Sequence, residues 1–235
     1  MTELATYRLD GRIATVTMDD GKVNVFSTAM LQDVHAAFDK AQKDEAVVVL
    51  TGRENYFSAG FDLNTFAEGT QAEVLDLLTL GATLAERILS FPTPVVVACS
   101  GHAYPAGAFL LLSADMRIGT EGPYRIGLNE VKIGLTVPWF AIELARHRLH
   151  PAYFDRTVVN ATMYSPSEAI LPGFLDKVVP MSQLREASVA AAQELSELNL
   201  QAHSATKFRA RANALAALRN AIERELAPGS TTKDH

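Results

Sequence analysis

Two short runs decide most of what this chain can become. Residues 46–50 (AVVVL) and 94–100 (PVVVACS) are rich in β-branched residues and apolar almost throughout. Each is too short for a helix and has no polar face. A strand of that kind is buried on both sides, as in a parallel sheet with helices over both faces. IATVTM (13–18) alternates and reads as another strand. Between these lie helical stretches. Ser27 can cap a helix running to about Lys43, with Met30, Leu31, Val34, Ala37, Phe38 and Ala41 on one stripe. A second helix covers roughly 71–90 and stops at FPTP (91–94). The order β-α-β-α-β predicts an α/β fold with parallel strands joined by right-handed crossovers.

Further on, MRIG and YRIG are short strand candidates, and the chain turns helical after Pro138. Ser165, Pro166, Ser167 and Glu168 spell a capping box. GFLDKVVP supplies a last short strand. Two helices, broken near Asn199, run from about Ser182 to Leu226, and PGSTTKDH reads as a frayed tail.

With 235 residues, 48% of them hydrophobic, a sizeable core is available. A formal net charge of -6 argues against nucleic acid or an acidic membrane surface as a general partner. The single cysteine, Cys99, excludes an internal disulfide and points to a reducing compartment, the cytoplasm. The start, MTELATYRLDG, has no signal-peptide pattern, and no apolar run is long enough to span a membrane. His35, His147, His150 and His203 show no ligand spacing with acidic partners, so no metal site is expected.

Two loops at strand carboxyl ends carry the functional signal, since parallel sheets place their ligands there. One reads Tyr56-Phe57-Ser58-Ala59-Gly60-Phe61-Asp62-Leu63, the other Pro105-Ala106-Gly107-Ala108. Each has a small-residue bend through which main-chain N–H groups can approach a ligand, and the second opens a helix whose N-terminus favours negative charge. Plain strand-to-helix turns would look the same. A third segment, IGLNEVKIGLTVPWF (126–140), places Glu130 among apolar residues. That environment raises a carboxyl pKa and suits proton transfer near neutral pH. A surface glutamate paired with Lys132 or Arg125 is the alternative.

FSAGFDL, GHAYPAGAFLLLSAD and IGLNEVKIGL…PWF, in that order and spacing, resemble the crotonase superfamily of enoyl-CoA hydratases and isomerases. The similarity covers about residues 5–180. It implies a ββα spiral core over residues 1–180, a C-terminal helical region (181–227) that mediates trimer assembly, and a frayed tail (228–235). It also implies an acyl-CoA thioester as substrate, with CoA as part of that substrate and no separate cofactor. The expected assembly is a homotrimer or a dimer of trimers. By the same resemblance, the backbone N–H groups of Phe61 and Ala106 form an oxyanion hole. The second donor falls on Ala106 or Gly107, because the family's usual Gly-Gly pair is Ala-Gly here. Val23, Val25, Ala59, Gly60, Asp62, Leu63, Gly107, Phe109 and Asn129 are carried over as substrate-binding positions.

Hydratases of this superfamily use two glutamates. One position is Glu130; the other is Phe109, with Leu110 beside it. Hydration needs one group to activate water and another to deliver a proton, whereas moving a double bond needs a single base. The pattern therefore favours a 3-enoyl-CoA to trans-2-enoyl-CoA isomerase, and IGLNE…PWF resembles the mitochondrial-type Δ3,Δ2-enoyl-CoA isomerases. A hydratase or other crotonase-type enzyme, and a catalytically silent CoA-ester-binding subunit, are the alternatives.

Several residues have simpler readings. Asp62 is expected to accept backbone hydrogen bonds in its loop. Cys99 reads as a buried small hydrophobe and His102 as neutral and hydrogen-bonded. Lys207, Arg209 and Arg211 read as a solvated helix face, or less simply as a site for a CoA phosphate. Leu75, Leu77, Leu78, Leu80 and Leu84 either pack on the core or line an acyl tunnel.

Overall fold

The structure is a computed structural model that describes residues 3–226. The tail expected to fray lies outside them. Ten strands are described: β1 (Ala5–Asp10), β2 (Ile13–Met18), β3 (Val25–Phe26), β4 (Val47–Thr51), β5 (Asn55–Ser58), β6 (Gly60–Phe61), β7 (Val95–Cys99), β8 (Gly101–Ala103), β9 (Met116–Thr120) and β10 (Lys177–Val179). Nine α-helices accompany them: α1 (Thr28–Lys43), α2 (Leu63–Glu68), α3 (Gln71–Ser90), α4 (Pro105–Ser113), α5 (Trp139–Arg148), α6 (Phe154–Val158), α7 (Met181–Ser196), α8 (Leu200–Ala210) and α9 (Ala212–Leu226).

The main sheet runs β1-β2-β4-β7-β9-β10, parallel except for the β1–β2 hairpin. The apolar runs 46–50 and 94–100 fill its centre, and their alternation explains why no polar face is needed. Val48, Leu50, Val95, Val97 and Cys99 join one cluster with α1, α3 and α4. Val47, Val49, Val96 and Ala98 face the other way and pack with Leu184, Ala191 and Ala192 of α7.

From β2 to α4 the chain repeats one unit three times: a sheet strand, one or two short strands, then helix. The short strands leave the main sheet and pair among themselves, β3 with β6 and β5 with β8, both parallel. This is the ββα spiral that the resemblance implies. The six buried positions expected on the first helix are the ones α1 buries, and Ser27 Oγ accepts from the Met30 N–H at 3.2 Å. Thr70 and Glu73 form a capping box that starts α3.

Three expectations need correcting. YRIG (124–127) makes only isolated bridges through Ile126, because Tyr164 and Ala103 pair with that residue alone. The Ser165–Glu168 box forms, yet it opens only a 3-10 turn over Glu168–Ile170, since Pro172 and Gly173 follow at once. The C-terminal region is three helices, with a second break at Arg211. Beyond it α9 folds back on its own chain, against α3 and α5, burying Leu215, Leu218, Ala221 and Leu226.

Two members of the basic cluster are the largest correction, while Arg209 is exposed as expected. Lys207 is buried, not solvated. Its Nζ donates to Asp115 Oδ2 at 2.6 Å, and Arg211 Nη2 donates to Asp115 Oδ1 at 2.8 Å. Both cations sit at the α8–α9 junction, so this triad holds the turn that sends α9 back over α5.

Candidate active site

β4 and β7 end side by side, and the two small-residue loops follow them. Gly60 has φ +93°, a conformation strained for any L side chain, and a Cβ there would lie 3.7 Å from the Ala106 nitrogen. The loops are therefore in contact at the residues the sequence singles out. Asp62 N–H donates to the Phe26 carbonyl at 3.2 Å. In a parallel pair the residue that accepts from its neighbour's successor is the one bonded across the ladder. That residue is Phe26, so the N–H of Phe61 points away from β3. The two preceding amides are also taken: Gly60 N–H donates to Ser58 Oγ, and Ala59 N–H to the Val23 carbonyl.

On the second loop, α4 begins with Tyr104 at the cap position, without a side-chain cap, and with Pro105 in its first turn. The first intrahelical bond there comes from Ala108 N–H, to Tyr104 O at 2.9 Å. Ala106 and Gly107 thus hold the amides that an α-helix leaves without intrahelical partners. Gly107 has a packing reason of its own. A Cβ there would lie 3.0 Å from both Ser58 Cβ and the Ser58 carbonyl. Gly107→Ala is expected to push α4 off β5, carrying the Ala106 amide with it. Turnover should fall about tenfold or more at nearly unchanged CoA-ester affinity, as read from steady-state kinetics beside equilibrium binding.

Glu130 closes the site from a third element. Its carbonyl accepts from Ile133 N–H at 3.0 Å and Leu135 N–H at 2.9 Å, tying the following 3-10 turn to it. The residue is 5% exposed, and neither carboxylate oxygen has a hydrogen-bond partner in another described residue. Burial pushes its pKa up from 4.5 to about 7. The Oδ1 of the neighbouring, half-buried Asn129 is likewise out of solvent and has no partner among the described residues.

A cavity of about 900 Å³ joins these parts. Ala59, Gly60, Phe61, Leu63, Phe109, Asn129 and Glu130 line it, together with Pro105 at the head of α4. Val23, Val25, Asp62, Ala106 and Gly107 do not line it. Val23 is held through its carbonyl, Asp62 Oδ1 caps α2 by accepting from Asn64 N–H, and Ala106 is buried. Phe109 is 2% exposed and meets Phe140 edge-on at 5.4 Å between centroids. Of Leu75, Leu77, Leu78, Leu80 and Leu84 on α3, Leu78 reaches the cavity, whereas Leu77 and Leu84 are fully buried in the core.

The sequence reasoning missed Phe66, Val74, Ile142, Arg224 and Glu225, which also line the wall. For Arg224 and Glu225 no local signal exists, because only the return of α9 brings them there. Cys99 is buried, its thiol pushed up to about 12, and plays no part in the cavity. His102 Nδ1 accepts from Arg125 N–H at 3.0 Å, and burial lowers its pKa, as expected of a neutral ring.

A spiral of ββα units whose strand-end loops line one cavity with a buried carboxylate defines a crotonase-superfamily acyl-CoA enzyme. The chain belongs to the enoyl-CoA hydratase/isomerase family, whose model matches residues 8–234. It is similar to an enoyl-CoA hydratase/isomerase family protein from Pseudomonas syringae, with 46% identity, a TM-score of 0.93 and coverage of 95% of this chain and 96% of that one. It is 29% identical to the carnitinyl-CoA dehydratase of Salmonella typhi over 198 residues, 83% of this chain and 75% of that one. Over 199 residues it is 25% identical to human mitochondrial enoyl-CoA delta isomerase 1, covering 83% of this chain and 66% of that one.

Proposed function

We propose that this enzyme moves the double bond of a 3-enoyl-CoA to give the trans-2-enoyl-CoA. The thioester oxygen lies between the N–H groups of Phe61 and Ala106, which form the oxyanion hole. Glu130 removes a proton from C2, and the electron pair spreads over C2, C4 and the thioester oxygen. Glu130, now protonated, returns the proton to C4, so the acid is regenerated as a carboxylate and no water enters. Each oxyanion donor typically contributes about 3 kcal/mol of transition-state stabilisation. That help is needed because a carbon acid is far weaker than the carboxylic acid that deprotonates it.

The observation that carries this reading is Phe109. Where related hydratases hold a second glutamate, a buried ring packs between Phe61 and Phe140 and excludes water from that side. The base must be ionised to start the reaction. With its pKa near 7, kcat is expected to rise with pH through about 7 and to level above it. A flat profile from pH 5 to 9 would remove Glu130 from the role of base.

One observation favours hydration instead. The unpartnered oxygens of Asn129 and Glu130 are three buried acceptors that a bound water would satisfy. Assays of crotonyl-CoA hydration and 3-enoyl-CoA isomerisation on one preparation separate the readings; hydration the faster of the two would sink the isomerase assignment. A homotrimer or a pair of trimers remains part of the proposal, checked by light scattering.

A further inference from the structure

Helix α5 starts without a local cap: Pro138 stands at its N-cap and supplies no side-chain acceptor. Its first amides are satisfied from 86 residues away. Trp139 N–H donates to Glu225 Oε2 at 2.9 Å, and the Phe140 N–H acts with it in pulling the Glu225 pKa down. The anion thus sits on the positive end of α5, where charge and hydrogen bonding act together. Next to it, the Arg224 guanidinium lies over the Trp139 ring, 5.0 Å from its centroid.

What this fixes is the exit of the loop that carries Glu130. The loop is tied to itself at its start, where Ile133 and Leu135 donate to the Glu130 carbonyl, and Gly134 turns it with φ +79°. Residues 132–136 are exposed. Its far end is Pro138 and Trp139, the point that Glu225 grips. Glu130, Arg224 and Glu225 are the charged residues of the cavity wall among the described residues.

We infer that Glu225 is a positioning residue for Glu130: by capping α5 from α9 it anchors the loop that holds the Glu130 carboxyl deep in the cavity. The inference rests on the reading of Glu130 as the base. Without the anchor the loop lifts, water reaches Glu130, and its pKa returns toward the ordinary carboxylate range. Few charges stand nearby to produce the same change. Lys132 lies in the exposed loop. Glu143 and Arg146 of α5 pair with each other at 3.7 Å, and Glu86 of α3 pairs with Arg219 of α9 at 2.8 Å. Glu223 is exposed on α9, and α4 carries no charged residue. Burial raises the pKa of Glu225 itself, against the pull of the two amides and Arg224.

The test compares kcat against pH for the full chain and its Glu225→Ala and Glu225→Gln variants on a 3-enoyl-CoA, with binding of a saturated acyl-CoA measured alongside. Glu225→Ala is expected to lower kcat about 10- to 100-fold, as small misplacements of a reacting group do, and to move the acidic limb to lower pH, with affinity nearly unchanged. Glu225→Gln keeps an acceptor oxygen and is expected to recover most of the rate and the original limb. An alanine variant with the parental rate and limb overturns the inference. So does equal loss in both variants with the limb unmoved, which would make the carboxylate itself a reactant. Glu130→Gln run in parallel separates the two levels: its activity would defeat the base assignment, whatever Glu225 does.

Discussion

Glu130→Gln is expected to lose turnover by on the order of 10³- to 10⁴-fold while still binding CoA esters, because it removes the base and leaves shape and volume alone. The same substitution is expected to stabilise the fold above neutral pH. The folded-state pKa of about 7 lies above the ordinary 4.5. The folded chain therefore holds this proton where the unfolded chain releases it, and stability is lost as pH rises from about 4.5 to about 7. At roughly 1.4 kcal/mol per pKa unit the buried charge costs on the order of 3 kcal/mol at pH 8. Glutamine carries no charge and should recover most of it. Chemical denaturation at pH 5 and pH 8 gives the readout: a gap between variant and parent that widens with pH supports the assignment. A gap of the same size at both pH values would mean that Glu130 is not desolvated. Activity lost and stability gained at one residue is the signature of a site kept strained for its chemistry.

Asp115→Ala carries the largest expected effect on stability. Asp115 accepts from Lys207, Arg211 and the Val95 N–H at 2.6, 2.8 and 2.7 Å. Lys207 is 7% exposed, and burial holds its pKa down to about 8 against the pull of Asp115. Removing the anion leaves two cations facing each other out of water. Breaking a buried pair in this way costs about 3–5 kcal/mol, a large part of the 5–15 kcal/mol typical of a whole domain. The urea midpoint should fall accordingly, and activity with it, since α9 is released from the site. Adding Lys207→Met should recover part of the loss, because an apolar side chain of similar length no longer needs the charge. A loss under about 1 kcal/mol for Asp115→Ala alone would show the triad to be solvated in practice.

Much of the scaffold was legible before any coordinates. The double-sided apolar runs identify central parallel strands, and the α1 stripe names its own core residues. The first small-residue loop, Pro105 of the second and Glu130 line one cavity, whereas spacing alone left plain strand-to-helix turns open. The short strands β3, β5, β6 and β8 were not legible, because two to four residues leave no periodicity to read. The Ser165 box was legible as a cap, though it could not reveal that the helix stops after one turn.

Periodicity and caps depend on neighbours within a few residues, and those the sequence determines by itself: strand or helix, buried stripe, bend. Partnership across the fold is a different matter. Lys207 and Arg211 look like surface cations until Asp115, 92 and 96 residues earlier, lies against them. Glu225 looks like a helix-end acid until α9 turns back and places it on the start of α5. A charge is stable on a wet surface or against an opposite charge, and its own segment reads the same in both cases. Only the packing of distant elements decides which applies.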